Sequence, residues 1–251
     1  MGIASISQSA VAAPAAPPQP ARPSYAHAHW YVLAALGAVV LGFWPTFFRP
    51  MGSGTALRNF HGVTSTLWYV GLMLQSWLMS RGNVRWHRRV AVGVIVLLPL
   101  LVVSALASTR VMLTTSALPP EIRPLIAYLD FTTCALLVVL FALGLRNRRV
   151  PPAHKRYMVS TVFIGFPPAL TRFYVRLIGP AALPFLGIHL SFVTAEIALA
   201  IAMLVDWRMG ERRRWAYLIT LATFVAIHTL MVPLSSTEAW LAFCRWFAAT
   251  H

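Results

Sequence analysis

Four histidines, His61, His87, His154 and His189, lie in or beside apolar stretches at separations that set them at two depths. His61 and His87 are 26 residues apart, about 39 Å of helix at ~1.5 Å per residue, so one ring belongs near each face of a membrane. His154 opens a later apolar block at the level of His87, and His189 follows Pro184 by five residues, level with His61. Two imidazoles that face each other at one depth can ligate a single haem iron, with the porphyrin slotted edge-on between helices. The pairs implied are His61 with His189 on the outer side and His87 with His154 on the inner. The chemistry expected of them is electron transfer across a bilayer through one or two b-type haems.

Other polar groups cluster toward the outer half. Glu196 is seven residues after His189 and shares its helix face, Asp130 enters the outer third of its block, and His228 is in the outer half of the last one. A carboxylate at such depth needs a partner or a proton. Arg172 has two readings of equal rank: it holds a haem propionate, or it pairs with Asp130 and fixes helix register. Gln75, Trp68 and His61 share one stripe of the second block.

Two competing classes of function stay open. An intramembrane metal hydrolase would draw zinc ligands from His61, His189, His228 and Asp130, with Glu196 as base, although no HxxxH or HExxH spacing occurs. A cofactor-free accessory subunit would use the same groups for helix packing. His87 and His154, each beside arginine or lysine, also suit a plain place among lipid headgroups.

Apolar residues make up 58% of the 251, and they come in blocks long enough for a helix to cross about 30 Å of hydrocarbon. Seven such blocks cover 30–48, 60–79, 90–107, 125–145, 157–178, 183–207 and 215–234. The fold class expected is all-α, a polytopic transmembrane bundle over 25–234. Pro45, Pro99, Pro167 and Pro168 inside the blocks predict kinks. Residues 1–24, rich in Ala, Pro and Ser, read as a disordered tail without the pattern of a cleaved signal peptide. In 235–251, Ser235 and Glu238 have capping-box spacing ahead of a Trp240, Phe243 and Phe247 stripe, which predicts a short interfacial helix.

The net charge of +15 follows topology rather than nucleic acid. Thirteen cations, fourteen with Arg22, fall in the tail and even-numbered loops: Arg81, Arg85, Arg88, Arg89, Arg146, Arg148, Arg149, Lys155, Arg156, Arg208 and Arg212 to Arg214. Seven, namely Arg49, Arg58, Arg110, Arg123, Arg172, Arg176 and Arg245, fall on the other side. Such asymmetry predicts a cytoplasmic N-terminus and an outer C-terminus, with lipid headgroups as the acidic partner. Cys134 and Cys244 form no CxxC and read as small apolar residues. The sole lysine, Lys155, sits at a helix start, which excludes a retinal-type Schiff base in mid-bundle.

The run Phe60-His61-Gly62, then Trp86-His87-Arg88-Arg89, then His154-Lys155-Arg156-Tyr157-Met158 with Arg172 downstream resembles the histidine motifs of a group of bacterial membrane proteins classed as domain of unknown function 2306. That group is distantly similar to the cytochrome b561 type. The similarity covers roughly residues 60–175 and departs from it in Trp86, Tyr157 and in ligands spread over non-consecutive spans. It implies haem ligation by His61, His87, His154 and His189; the electron-transfer reading expects a bacterial inner-membrane location and an acceptor such as a quinone or ferric chelate.

Overall fold

The computed structural model describes residues 28–115, 118–179, 184–208 and 215–249, and among them every regular element is helical. The predicted tail 1–24 and Arg212 to Arg214 lie outside the described residues. The helices are α1 (Ala28–Phe43), α2 (Ala56–Ser80), α3 (Val84–Thr115), α4 (Arg123–Arg146), α5 (Pro151–Ser160), α6 (Phe166–Ile178), α7 (Pro184–Arg208), α8 (Trp215–Ser235) and α9 (Glu238–Ala249). Five segments are long and apolar enough to cross a membrane: Ala28–Phe48, Val84–Thr115, Pro120–Arg146, Phe185–Arg208 and Trp215–Ser235.

The two remaining predicted blocks differ from these five for visible reasons. α2 has the length, 25 residues, but Asn59, His61, Thr64, Ser65, Thr66, Gln75 and Ser76 dilute its hydropathy. The block at 157–178 is broken into α5, a 3₁₀ segment Thr161–Gly165 and α6. Pro167 stands at the start of α6, where a missing N–H costs nothing, so the chain restarts a helix there instead of bending one. Pro99 and Pro233, by contrast, sit inside continuous helices.

Pro45 has a different solution. It opens a π-helical turn, Trp44–Phe48, after α1. A proline at this position cannot donate to the carbonyl four residues earlier, that of Leu41. Arg176 of α6 supplies the missing donor, its guanidinium reaching the carbonyls of Leu41 at 3.2 Å and Gly42 at 2.8 Å. Close approach of α1 and α6 makes this reach available, because Gly42 presses on the Ala169 backbone where any Cβ would lie 2.5 Å from the carbonyl oxygen.

Two apolar cores share the middle of the bundle. One joins α1, α2, α3 and α4 through Val32, Trp68, Tyr69, Leu72, Leu98 and Phe141, and the other joins α4, α7 and α8 through Leu140, Phe192, Leu199, Tyr217 and Phe224. Ile164 and Phe166 pack against both. A buried ion pair, Arg156 of α5 with Asp206 of α7, straps the halves together at one end.

The last helix, with 12 residues, is too short to cross about 30 Å. Its stripe folds back onto α4: Phe131 meets Trp240, Phe243 and Phe247 edge-on at 5.9, 5.2 and 5.1 Å, and Trp240 donates to the Pro124 carbonyl at 2.8 Å. The helix cap is Thr237, which accepts from the Trp240 amide at 3.3 Å, and Ser235 bonds back into α8 instead. The predicted Ser235–Glu238 capping box therefore does not form: Thr237 is the N-cap and Glu238 is the first residue of the helix.

Candidate functional site

α2 ends and α3 begins at the same end of the bundle where α4 ends and α5 begins, so the antiparallel connections carry His87 and His154 to one level. Their ring centroids are 6.4 Å apart with planes at 83°. Each ring is held by its Nδ1: that of His154 bonds the Gly144 carbonyl at 2.8 Å, and that of His87 bonds the Gln75 carbonyl at 3.4 Å. A carbonyl can only accept, so both Nδ1 atoms carry the proton and both Nε2 atoms keep a lone pair. Neither Nε2 has a protein partner among the described residues.

These rings border an open cavity of about 800 Å³ lined by α1 to α5, within the range of sites that take cofactor-sized ligands. Leu72, Val94, Phe141 and Met158 give it apolar walls, while Arg88, Arg148, Arg149 and Lys155 supply cations. The side-chain oxygen of Gln75 is buried beside it without a hydrogen-bond partner. An unpaired buried amide oxygen costs about 1–3 kcal/mol, so something polar is expected to meet it.

Two imidazoles with open Nε2 atoms are the donor type that a bis-imidazole metal centre uses. Two imidazoles bound through Nε2 at about 2 Å from one ion would hold their centroids roughly 6 Å apart. Backbone carbonyls on both Nδ1 atoms are the usual outer support of a metal-ligating histidine, fixing tautomer and ring direction.

The outer pair does not form. His61 bonds Ser104 of α3 through Nδ1 at 3.2 Å, and its Nε2 is 3.5 Å from Ser65 Oγ one turn further along α2. His189 turns to α8, where its Nδ1 is 2.8 Å from His228 Nε2. The reason is lateral: α2 packs on α1 and α3, while α7 packs on α6 and α8. His228 Nδ1 in turn bonds Glu196 at 2.9 Å, so Glu196, His228 and His189 make a continuous chain. The spacing of Glu196 from His189 had marked a shared face, but the bridging role of His228 has no sequence signal.

Arg172 is at the opposite end from the inner cavity. Its guanidinium bonds the Pro168 carbonyl at 2.7 Å and stacks 4.3 Å over the Phe43 ring. Asp130 accepts from Thr109 at 2.7 Å and feels the charge of Arg172 without a direct ion pair among the described residues. The cations that line the inner cavity are Arg88, Arg148, Arg149 and Lys155. Arg156 is buried against Asp206. Along the predicted stripe of α2, His61 joins a hydroxyl cluster, Trp68 packs on Phe141 in the core, and Gln75 reaches the cavity.

The zinc set is dispersed in the same way. His61 and Asp130 bond to hydroxyls on α3, His189 and His228 to each other, and no group of three or more metal-ligating side chains occurs among the described residues. Compared with protein-family models, curated proteins and solved structures, the chain matches none.

Proposed function

We propose that this is an integral membrane redox protein that holds one b-type haem between His87 and His154. The carrying observation is the pair of rings 6.4 Å apart, each tethered by Nδ1 to a main-chain carbonyl and each left with an Nε2 lone pair at a common cavity. This reading keeps the inner half of the resemblance to the cytochrome b561 type and gives up the outer centre.

Bound there, the haem supplies one-electron chemistry at a potential set by its two imidazoles. The chain's own residues do the rest. Gly144 and Gln75 carbonyls orient the rings and raise their basicity as ligands. Arg88, Arg148, Arg149 and Lys155 neutralise the two carboxylates, and the apolar walls exclude water. A single centre near one face exchanges electrons at that face, with a lipid-soluble carrier such as a quinone as the natural partner.

We further propose that α2, and α5 with α6, complete seven crossings. In that arrangement the arginine-rich end carrying the cavity faces the cytoplasm of a bacterial inner membrane, and the C-terminus lies outside. The dispersed ligands leave the hydrolase reading without a metal centre. A cofactor-free accessory subunit is the outcome if no pigment binds.

The test is a haem titration of the detergent-purified protein with visible spectra before and after dithionite. One equivalent should produce a Soret band and a low-spin reduced spectrum. His87→Ala and His154→Ala should each lose it, while His61→Ala and His189→Ala keep it. No Soret band, or a band indifferent to His87 and His154, overturns the proposal.

A further inference from the structure

The chain of Glu196, His228 and His189 lies apart from the haem cavity, between α7 and α8. Its direction is dictated by chemistry. An ionised carboxylate only accepts, so His228 Nδ1 donates to Glu196, His228 Nε2 accepts from His189 Nδ1, and His189 Nε2 is left as the one open base. The rings are clamped in this geometry. Phe192 stacks on His228 at 5.3 Å, and Phe185 meets His189 edge-on at 4.5 Å.

The position is as informative as the order. Glu196 is 12 residues into the 25 of α7, about halfway along an apolar helix, where a lone carboxylate is costly and marks a proton or ion path. Its side chain is 18% exposed and that of His228 13%. His189, one turn from the start of α7, lies about 10 Å nearer the bundle end.

We propose that His189, His228 and Glu196 form a proton relay that takes a proton from water at the α6–α7 end of the bundle and delivers it to a carboxyl group at mid-depth. The incoming proton bonds to His189 Nε2, and His189 releases its Nδ1 proton to His228 Nε2. His228 then releases its own Nδ1 proton to Glu196 Oε1. One proton enters, the carboxylate becomes neutral, and both rings end uncharged in the opposite tautomer.

Several ionisable groups on the helices packed around the relay have hydrogen-bond partners elsewhere. On α6, Arg172 bonds Pro168, Arg176 bonds Leu41 and Gly42, and Tyr174 bonds Thr194. On α4, Asp130 bonds Thr109, and on α5, His154 bonds Gly144 while Arg156 pairs with Asp206. Glu238, Cys244 and Arg245 belong to α9, which also touches α8. The carboxylate that orders the relay is therefore Glu196 itself.

The test is ring ¹⁵N NMR of the full chain, labelled at histidine, in lipid nanodiscs across a pH series, with His189→Gln assigning the signal. At alkaline pH His189 should be the Nδ1–H tautomer. Glu196→Gln should lower its proton affinity about tenfold, one pH unit, although Glu196 does not touch it. Glu196→Asp, which keeps the charge but shortens the reach, should fall between the two. A His189 titration unchanged in both variants while His228 alone responds overturns the relay, as does an Nε2–H tautomer of His189 in the unmodified protein. The tautomer is read in the unmodified protein, with His189→Gln serving only to identify its signal, and the measurement needs no haem, so failure of the inner site leaves it intact.

Discussion

The two halves of this bundle use histidine in opposite ways. Between α1 and α5, His87 and His154 spend their Nδ1 protons on backbone carbonyls and keep two lone pairs for a shared ligand. Between α7 and α8, His189 and His228 bond each other and finish on a carboxylate, which leaves one lone pair at the end of a chain. The rings are alike in type and both pairs are partly buried. What differs is the group on the far nitrogen: a neutral carbonyl holds a ring still as a ligand, while an anion gives a proton somewhere to go.

The largest effect that would break this contrast is spectral. His154→Gln should abolish haem binding outright and His189→Gln should leave it within a factor of two, both read by titration at the Soret band. Equal losses from the two substitutions would mean the halves are not chemically distinct.

The next effect concerns the strap between them. Asp206→Ala leaves the Arg156 guanidinium buried without its anion, and removing one partner of such a pair costs about 3–5 kcal/mol. Thermal unfolding should show that loss. Arg156 is two residues beyond His154 on α5, so haem affinity should fall with it, while the His189 tautomer stays as it was.

A smaller effect should be confined to the first half. Tyr69 of α2 donates to the Val162 carbonyl at 2.7 Å, and a Cβ on Gly165 would lie 2.3 Å from that hydroxyl. Gly165→Ala should cost about 1–3 kcal/mol through the lost bond and crowding, again by thermal unfolding.

The smallest concerns the cations at the cavity. Arg148→Gln removes a mostly exposed charge and should weaken haem binding by less than about 1 kcal/mol, with the difference vanishing in high salt. A larger, salt-independent loss would show that Arg148 makes a desolvated contact rather than a screened one.

Much of the architecture was readable in advance. Helical class, a short C-terminal helix, and the shared level of His87 and His154 all follow from apolar block length and the rise per residue. The breaks near Pro45 and Pro167 were also legible as places of trouble. Their outcome was not, because a π turn capped by Arg176 depends on a helix that packs beside it.

The candidate site divides along the same line. Spacing along the chain determined how deep each histidine lies, since a helix advances by a constant step whatever surrounds it. Which neighbour each ring meets is a matter of rotation about the helix axis and of which helices lie side by side. Ser104 reached His61 because α3 lies beside α2, and His228 reached His189 because α8 lies beside α7. Those adjacencies come from close packing of whole helix faces, a property no single residue or interval carries, and they put two of the four expected ligands in one pair, His189 in a three-membered chain, and His61 among hydroxyls.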